Sequence, residues 1–239
     1  SMGNKKYGEA ICVPWSELKT GLWTFPCAFA QSELVRALYH LRKQELYLAD
    51  GSLPSKIPLC PLGELAEFGP DPRDVYDGFE LVNGKTPYAA VWGHETDFIT
   101  GMETNPNQYL QPLTKARPGR HLRKLSDLWP KSARVLIAQR TRLNTKRVTA
   151  VRASRRVLGD VWCPLLLKRA GTDVDEAEKV MVLWLNSTLG ILLFAGYREE
   201  TEGAYVQYKK PILEQLPTLD VWSLSAKRRR KLAEAFDQF

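Results

Sequence analysis

Residues 133–156 read ARVLIAQRTRLNTKRVTAVRASRR, a stretch without a single carboxylate. Its first half is apolar on both faces of a strand: Val135 and Ile137 point one way, Leu136 and Ala138 the other. A strand over 134–140 with that pattern must be covered on both sides, which places it inside a sheet. Polar and cationic residues then take over at Gln139, Arg140, Thr141 and Arg142, and Leu143-Asn144-Thr145 supplies the turn. A return strand over 147–153 sets Arg147, Thr149 and Val151 against Val148 and Ala150, and a third strand covers 160–168. Unpaired cations cannot enter a core. The hairpin must therefore gather them near its tip, outside the packed part of the sheet.

The chain has 239 residues, 44% hydrophobic and 10% aromatic, enough for one large domain or two small ones. Its formal charge of +7 is unevenly spread. Between Lys115 and Arg156 lie fourteen Lys or Arg and one acid, Asp127; the remaining residues hold 20 bases and 26 acids. Solvated faces usually mix the two signs. Concentrated positive charge instead attracts a polyanion over a Debye length of about 8 Å, and nucleic acid is the expected partner.

Other chemistries find little support. Cys12, Cys27, Cys60 and Cys163 show no CxxC spacing and only His40, His94 and His121 accompany them, so a structural zinc site is not expected. PDPRDVYDGFE supplies Asp71, Asp74, Asp77 and Glu80, but no E-x-K or D-x-K follows at a nuclease-like distance. GxSxG is absent, and His94 has no evident nucleophile partner. VMVLWLNSTLGILLFAG is interrupted at Asn186, Ser187 and Thr188 and falls short of the ~20 clean residues of a bilayer span. It reads as the middle of one buried helix over 174–197, with Thr172 or Asp173 as its cap. "SMG" resembles an expression-tag remnant and no leader follows it, so a cytoplasmic protein without membrane association is expected.

Elsewhere the pattern gives a helix over 32–48 with Leu34, Leu38, Tyr39 and Leu41 on its apolar stripe, ended by the turn-rich ADGSLPSKIP. PLGELAEFGP allows at most two helical turns. Asn83-Gly84 is a strong turn signal between two strand-like runs. RHLRKLSDLW predicts a short basic helix, Ala204–Tyr208 a strand, and SLSAKRRRKLAEAFDQF a final helix capped by Ser223 or Ser225.

The order PLGELAEFGP, extended basic middle, VLWLNSTLGILL, then KKPILEQLPTLD and a departing helix resembles the target-recognition domain of bacterial restriction-modification systems. Such domains occur in type I specificity subunits and at the carboxyl end of type IIG and phage-defence N6-adenine DNA methyltransferases. The resemblance covers about Pro58 to Asp220. It implies an α+β fold, a strongly twisted mixed but largely antiparallel sheet with flanking helices, that reads a short DNA sequence through the major groove. The expected organisation is an expression remnant at 1–3, a helical and linker segment at 4–57, the recognition domain at 58–221 and the start of a carboxyl-terminal helix at 222–239. The methyltransferase signature (Asn/Asp/Ser)-Pro-Pro-aromatic is missing; NPNQY at 105–109 lacks the second proline. No enzyme activity and no cofactor are therefore expected of this chain alone. S-adenosylmethionine and base flipping are implied for a separate catalytic domain or subunit, the expected partner besides double-stranded DNA.

Phosphate contacts are expected from Arg140, Arg142, Lys146, Arg147, Arg152, Arg155 and Arg156, with Lys115, Arg117, Arg120, Arg123 and Lys124 widening the footprint. Base reading requires bidentate groups, which points to Gln139 and Asn144 beside one or two arginines. Asn144 equally suits a left-handed turn position. A protein-interaction module docking an acidic partner is the first competing expectation, followed by an RNA binder, for which no RNP-like aromatic signature is visible, and a complete DNA-modifying enzyme.

Overall fold

The computed structural model describes residues 15–18, 31–48, 50, 52, 56–93, 99–141, 148–169, 171–198 and 206–239. In chain order the elements begin with α1 (Trp15–Leu18), α2 (Ser32–Arg42), β1 (Leu59–Pro61), α3 (Leu62–Leu65), β2 (Ala66–Phe68) and α4 (Pro72–Gly78). Next come β3 (Phe79–Val82), β4 (Tyr88–Val91), β5 (Glu103–Thr104), β6 (Gln108–Pro112), α5 (Leu125–Leu128), β7 (Ala133–Ala138) and β8 (Arg140–Thr141). The remainder is β9 (Ala150–Gly159), β10 (Trp162–Leu167), α6 (Val174–Leu185), α7 (Thr188–Gly196), β11 (Val206–Gln207), α8 (Lys210–Glu214), β12 (Pro217–Leu219) and α9 (Ala226–Phe236).

The fold is α+β. Its main sheet has eight strands, seven in the order β2-β10-β7-β9-β4-β6-β3, with β5 also paired to β9. Two pairings, β4 with β9 and β5 with β9, are parallel and the others antiparallel, so the sheet is mixed but largely antiparallel, as expected. The doubly apolar run is the sheet's centre: Val135, Leu136, Ile137 and Ala138 are all buried. It pairs with β9 in the register Ile137↔Ala150 and Leu136↔Val151, and with β10 through Leu136↔Pro164. A register shift between Ala133 and Val135 marks a bulge in this pairing. One large apolar cluster runs from Leu38 and Leu41 of α2 through the sheet to Ala233 and Phe236 of α9.

Four expectations need correction. The helix of residues 174–197 is two helices, α6 and α7, bent by 67°. Asn186 closes the first, and Ser187 caps the second by accepting from the Gly190 amide at 3.1 Å. No single helix among the described residues is long and apolar enough to cross a membrane. The runs around Asn83-Gly84 do not pair with each other, because β6 lies between them and pairs with both. The apolar stripe of α2, which ends at Arg42, is Val35, Leu38 and Leu41, whereas Leu34 faces solvent. Finally, β9 starts at Ala150 and extends through Ser154, Arg155 and Arg156 to Gly159, whereas the expected strand covered 147–153.

Candidate nucleic-acid interface

The residues that lead into the cationic turn are firmly seated. Ala138 donates its amide to the Thr149 carbonyl at 2.9 Å, and Gln139 donates to Val161 at 2.8 Å. On the opposite side β8 pairs with β11, Thr141 facing Val206 and Arg140 facing Gln207, and Tyr208 donates its amide to Gln139. Asn186, at the break between α6 and α7, locks the returning strand: its Oδ1 accepts from the Thr149 amide at 2.8 Å and its Nδ2 donates to the Ala150 carbonyl at 2.7 Å. The Thr149 hydroxyl adds a bond to Leu185 O at 2.6 Å. Both strands of the cationic pair therefore emerge from fixed backbone.

Beside them lies a cleft of about 390 Å³, walled by Gln139, Arg140, Asp160, Tyr208, Lys209 and Lys210 among others. Gln139 is half-buried and Arg140 exposed. Lys210 pairs with Asp71 at 3.4 Å. From sequence, Lys209 and Lys210 follow a strand and can either reach phosphate or pair with Glu199, Glu200 or Glu202; the folded chain sets Lys209 in the same cleft as Arg140, nearly seventy positions earlier.

The expected cations meet different fates. Arg142, Asn144, Lys146 and Arg147 lie outside the described residues. Lys115 and Lys124 are exposed. Arg155 is exposed, with its guanidinium 6.0 Å from the Tyr109 ring centre. Arg156 is exposed but its guanidinium is held by backbone, Nε and Nη2 donating to Ser132 O at 3.0 and 2.8 Å and Nη2 to Pro130 O at 2.5 Å. Arg117 donates to the carbonyls of Tyr76 and Phe79 at 3.1 and 3.2 Å. Arg120 grips Asp77, with Nη2 to Oδ2 at 2.8 Å, and Arg123 pairs with Asp74 at 2.8 Å.

Arg152 must be withdrawn from the DNA-facing set. Only 5% of its surface is exposed, and its guanidinium meets Asp175, Glu178 and Glu103 between the sheet and α6. Arg134 joins the same cluster through Asp175 at 2.9 Å. Burial pushes the Glu178 carboxyl above its ordinary value. At Asp175 burial acts in the same direction but is outweighed by Arg152 and Arg134, which hold the group below it. The local excess of positive charge is thus partly neutralised from within, by α6.

These features define an α+β domain whose central strands carry exposed Arg140 just past one end of β7 and exposed Arg155 and Arg156 near the other. No protein-family profile matches the chain, and no curated protein does. Among solved structures it is similar to the HsdS subunit from Thermoanaerobacter tengcongensis, with 14% identity and a TM-score of 0.39 over 93% of this chain and 46% of that one. The chain therefore spans about half the length of that structure, and no residue role is carried across at this distance.

Proposed function

We propose that this chain recognises double-stranded DNA in a sequence-specific way, as the specificity portion of an N6-adenine DNA methyltransferase in a restriction-modification or phage-defence system. The observation that carries the reading is the seating of the cationic run. Residues 138–141, Thr149 and Ala150 are tied to the sheet centre, to β11 and to Asn186, so the backbone on either side of residues 142–147 is held in place. A cationic segment anchored on both sides in this way suits a groove or a phosphate backbone. In this reading Arg140, Arg155 and Arg156, with Arg142, Lys146 and Arg147 beyond the described residues, meet phosphates. Lys115, Arg117, Arg120, Arg123 and Lys124 enlarge the footprint, and Gln139 and Asn144 address base edges.

Methyl transfer belongs, on this proposal, to a partner domain or subunit that also binds S-adenosylmethionine. A cleft of about 790 Å³ is lined by the pairs Lys210–Asp71, Lys131–Glu67 and Arg123–Asp74, a poor seat for an adenine ring. A salt series of gel shifts on random duplex tests the reading. Affinity is expected to fall log-linearly with salt, by about 0.9 in slope per phosphate neutralised. Reversing Arg140 and Arg142 to Glu together should weaken binding at every salt concentration; unchanged affinity removes the ribbon from the interface. Selection from a random duplex library then checks specificity, which requires an enriched motif.

A further inference from the structure

A second surface, apart from the cationic strand pair, is built for a different kind of partner. Strand β3 closes one end of the main sheet. Because successive side chains alternate, Phe79 and Leu81 share one face of it while Glu80 points away. Leu81 sits opposite Leu110 of β6. Helix α4 runs directly into β3, so Val75 and Tyr76 stand beside this face, and Trp92 closes the far side. The result is a cleft of about 300 Å³ with an almost wholly apolar lining.

Large apolar groups are left open there: Tyr76 and Leu81 are each 49% exposed. Such clustering on a surface marks an interaction site more often than chance exposure does. The rim is cationic. The Arg117 guanidinium lies 4.1 Å from the Tyr76 ring centre and that of Arg120 lies 5.8 Å from it. Arg117 is fixed there by the carbonyls of Tyr76 and Phe79, neutral acceptors, and it shares with Arg120 and Arg123 the single carboxylate of Asp77, so the rim keeps an excess of positive charge. Lys115, two residues earlier, is exposed as well.

A nucleobase fits this slot badly, since its polar edge would lose water without gaining acceptors or donors. An apolar side chain has no such penalty. We propose that the cleft between α4 and β3 receives a single Phe- or Leu-like side chain from an acidic segment of a partner protein, with flanking carboxylates on Arg117 and its neighbours. Tyr, Trp and Arg are the residue types that dominate binding energy at protein interfaces, and all three line this one cleft. The inference does not depend on the DNA reading.

The test uses the full chain and fluorescein-labelled, blocked nonapeptides of Glu and Ser with Phe at the centre, read by anisotropy. Controls replace the central Phe by Ala, or every Glu by Lys, and AMP is offered as a competing nucleotide. The acidic Phe peptide is expected to bind at least tenfold more tightly than either control peptide, to weaken with salt, and to lose at least tenfold on Leu81→Glu. Leu81 is half open to solvent, so that variant should fold; circular dichroism confirms it, and Tyr76→Ala provides a second lesion. Duplex binding is measured in parallel on Leu81→Ser, which adds no charge beside Arg117, and should match the parent, which separates failure here from failure of the DNA proposal. Equal binding of Phe and Ala peptides, absence of peptide binding, indifference to Leu81→Glu, or displacement by AMP would each overturn the proposal.

Discussion

Asp77 has only 9% of its surface exposed, and its carboxylate is closed by the forked guanidinium of Arg120. That hydrogen bond favours the ionised form and holds the Asp77 carboxyl below its ordinary value of 3.8. A carboxylate lowered on folding contributes stability that is fully present above its unfolded value and is lost as pH falls through the folded one. Urea denaturation of Asp77→Asn should accordingly show less loss of stability than the parent below pH 3.8, and parallel pH dependence would contradict this. Arg152 makes the complementary case. Removing it leaves buried Glu178 and its neighbour Asp175 with Arg134 alone among the arginines that faced them, a lesion worth up to about 3–5 kcal/mol. Arg152→Ala should lower the unfolding free energy by roughly that amount, whereas exposed Arg155→Ala should stay within about 0.5 kcal/mol. In the sequence the two arginines look alike, three positions apart in one basic run. The partners of Arg152 lie 23, 26 and 49 positions away, a distance at which neither spacing nor local charge reveals a pair.

The break between α6 and α7 is the element on which the cationic strand pair rests. Asn186 satisfies Thr149 and Ala150 at the start of the return strand while also donating to Val182 O at 2.9 Å, within the helix it terminates. Gly190 completes the bend: a Cβ there would stand 2.1 Å from Trp184 O, a backbone atom that cannot move aside. Asn186→Ala leaves buried donors and acceptors unpaired at about 1–3 kcal/mol, and Gly190→Ala forces the two helices apart. Both variants should unfold at lower urea, and Asn186→Ala should also weaken duplex binding by loosening the base of the ribbon; an unchanged midpoint would show that the bend is held by other groups. The central strand was legible because continuous burial leaves an apolar pattern in four adjacent residues, Val135 to Ala138. The bend was not, since Asn-Ser-Thr within an apolar run reads as a polar interruption until its partners at Thr149 and Ala150 are known. Likewise Asn83-Gly84 signalled a turn correctly in kind, but no local pattern could disclose that β6 would insert between the flanking strands.

Across the whole molecule, positive charge collects where segments distant in sequence meet. Arg140 stands opposite Gln207, Tyr208 bonds back to Gln139, and Lys209 joins the same cleft, so the surface beside the strand pair draws on residues 139–141 and 207–210 together. If duplex DNA follows that surface, Lys209 should behave as a phosphate contact: Lys209→Ala weakens binding to all sequences about equally and reduces the salt slope by about one. Lys231, exposed on α9, belongs to a different basic cluster, and Lys231→Ala should leave both quantities unchanged. A loss confined to one sequence would instead assign Lys209 to base reading, since only contacts in a groove discriminate between base pairs. Equal effects of the two substitutions would mean that binding responds to net charge alone, and a positioned ribbon would no longer be needed to account for it.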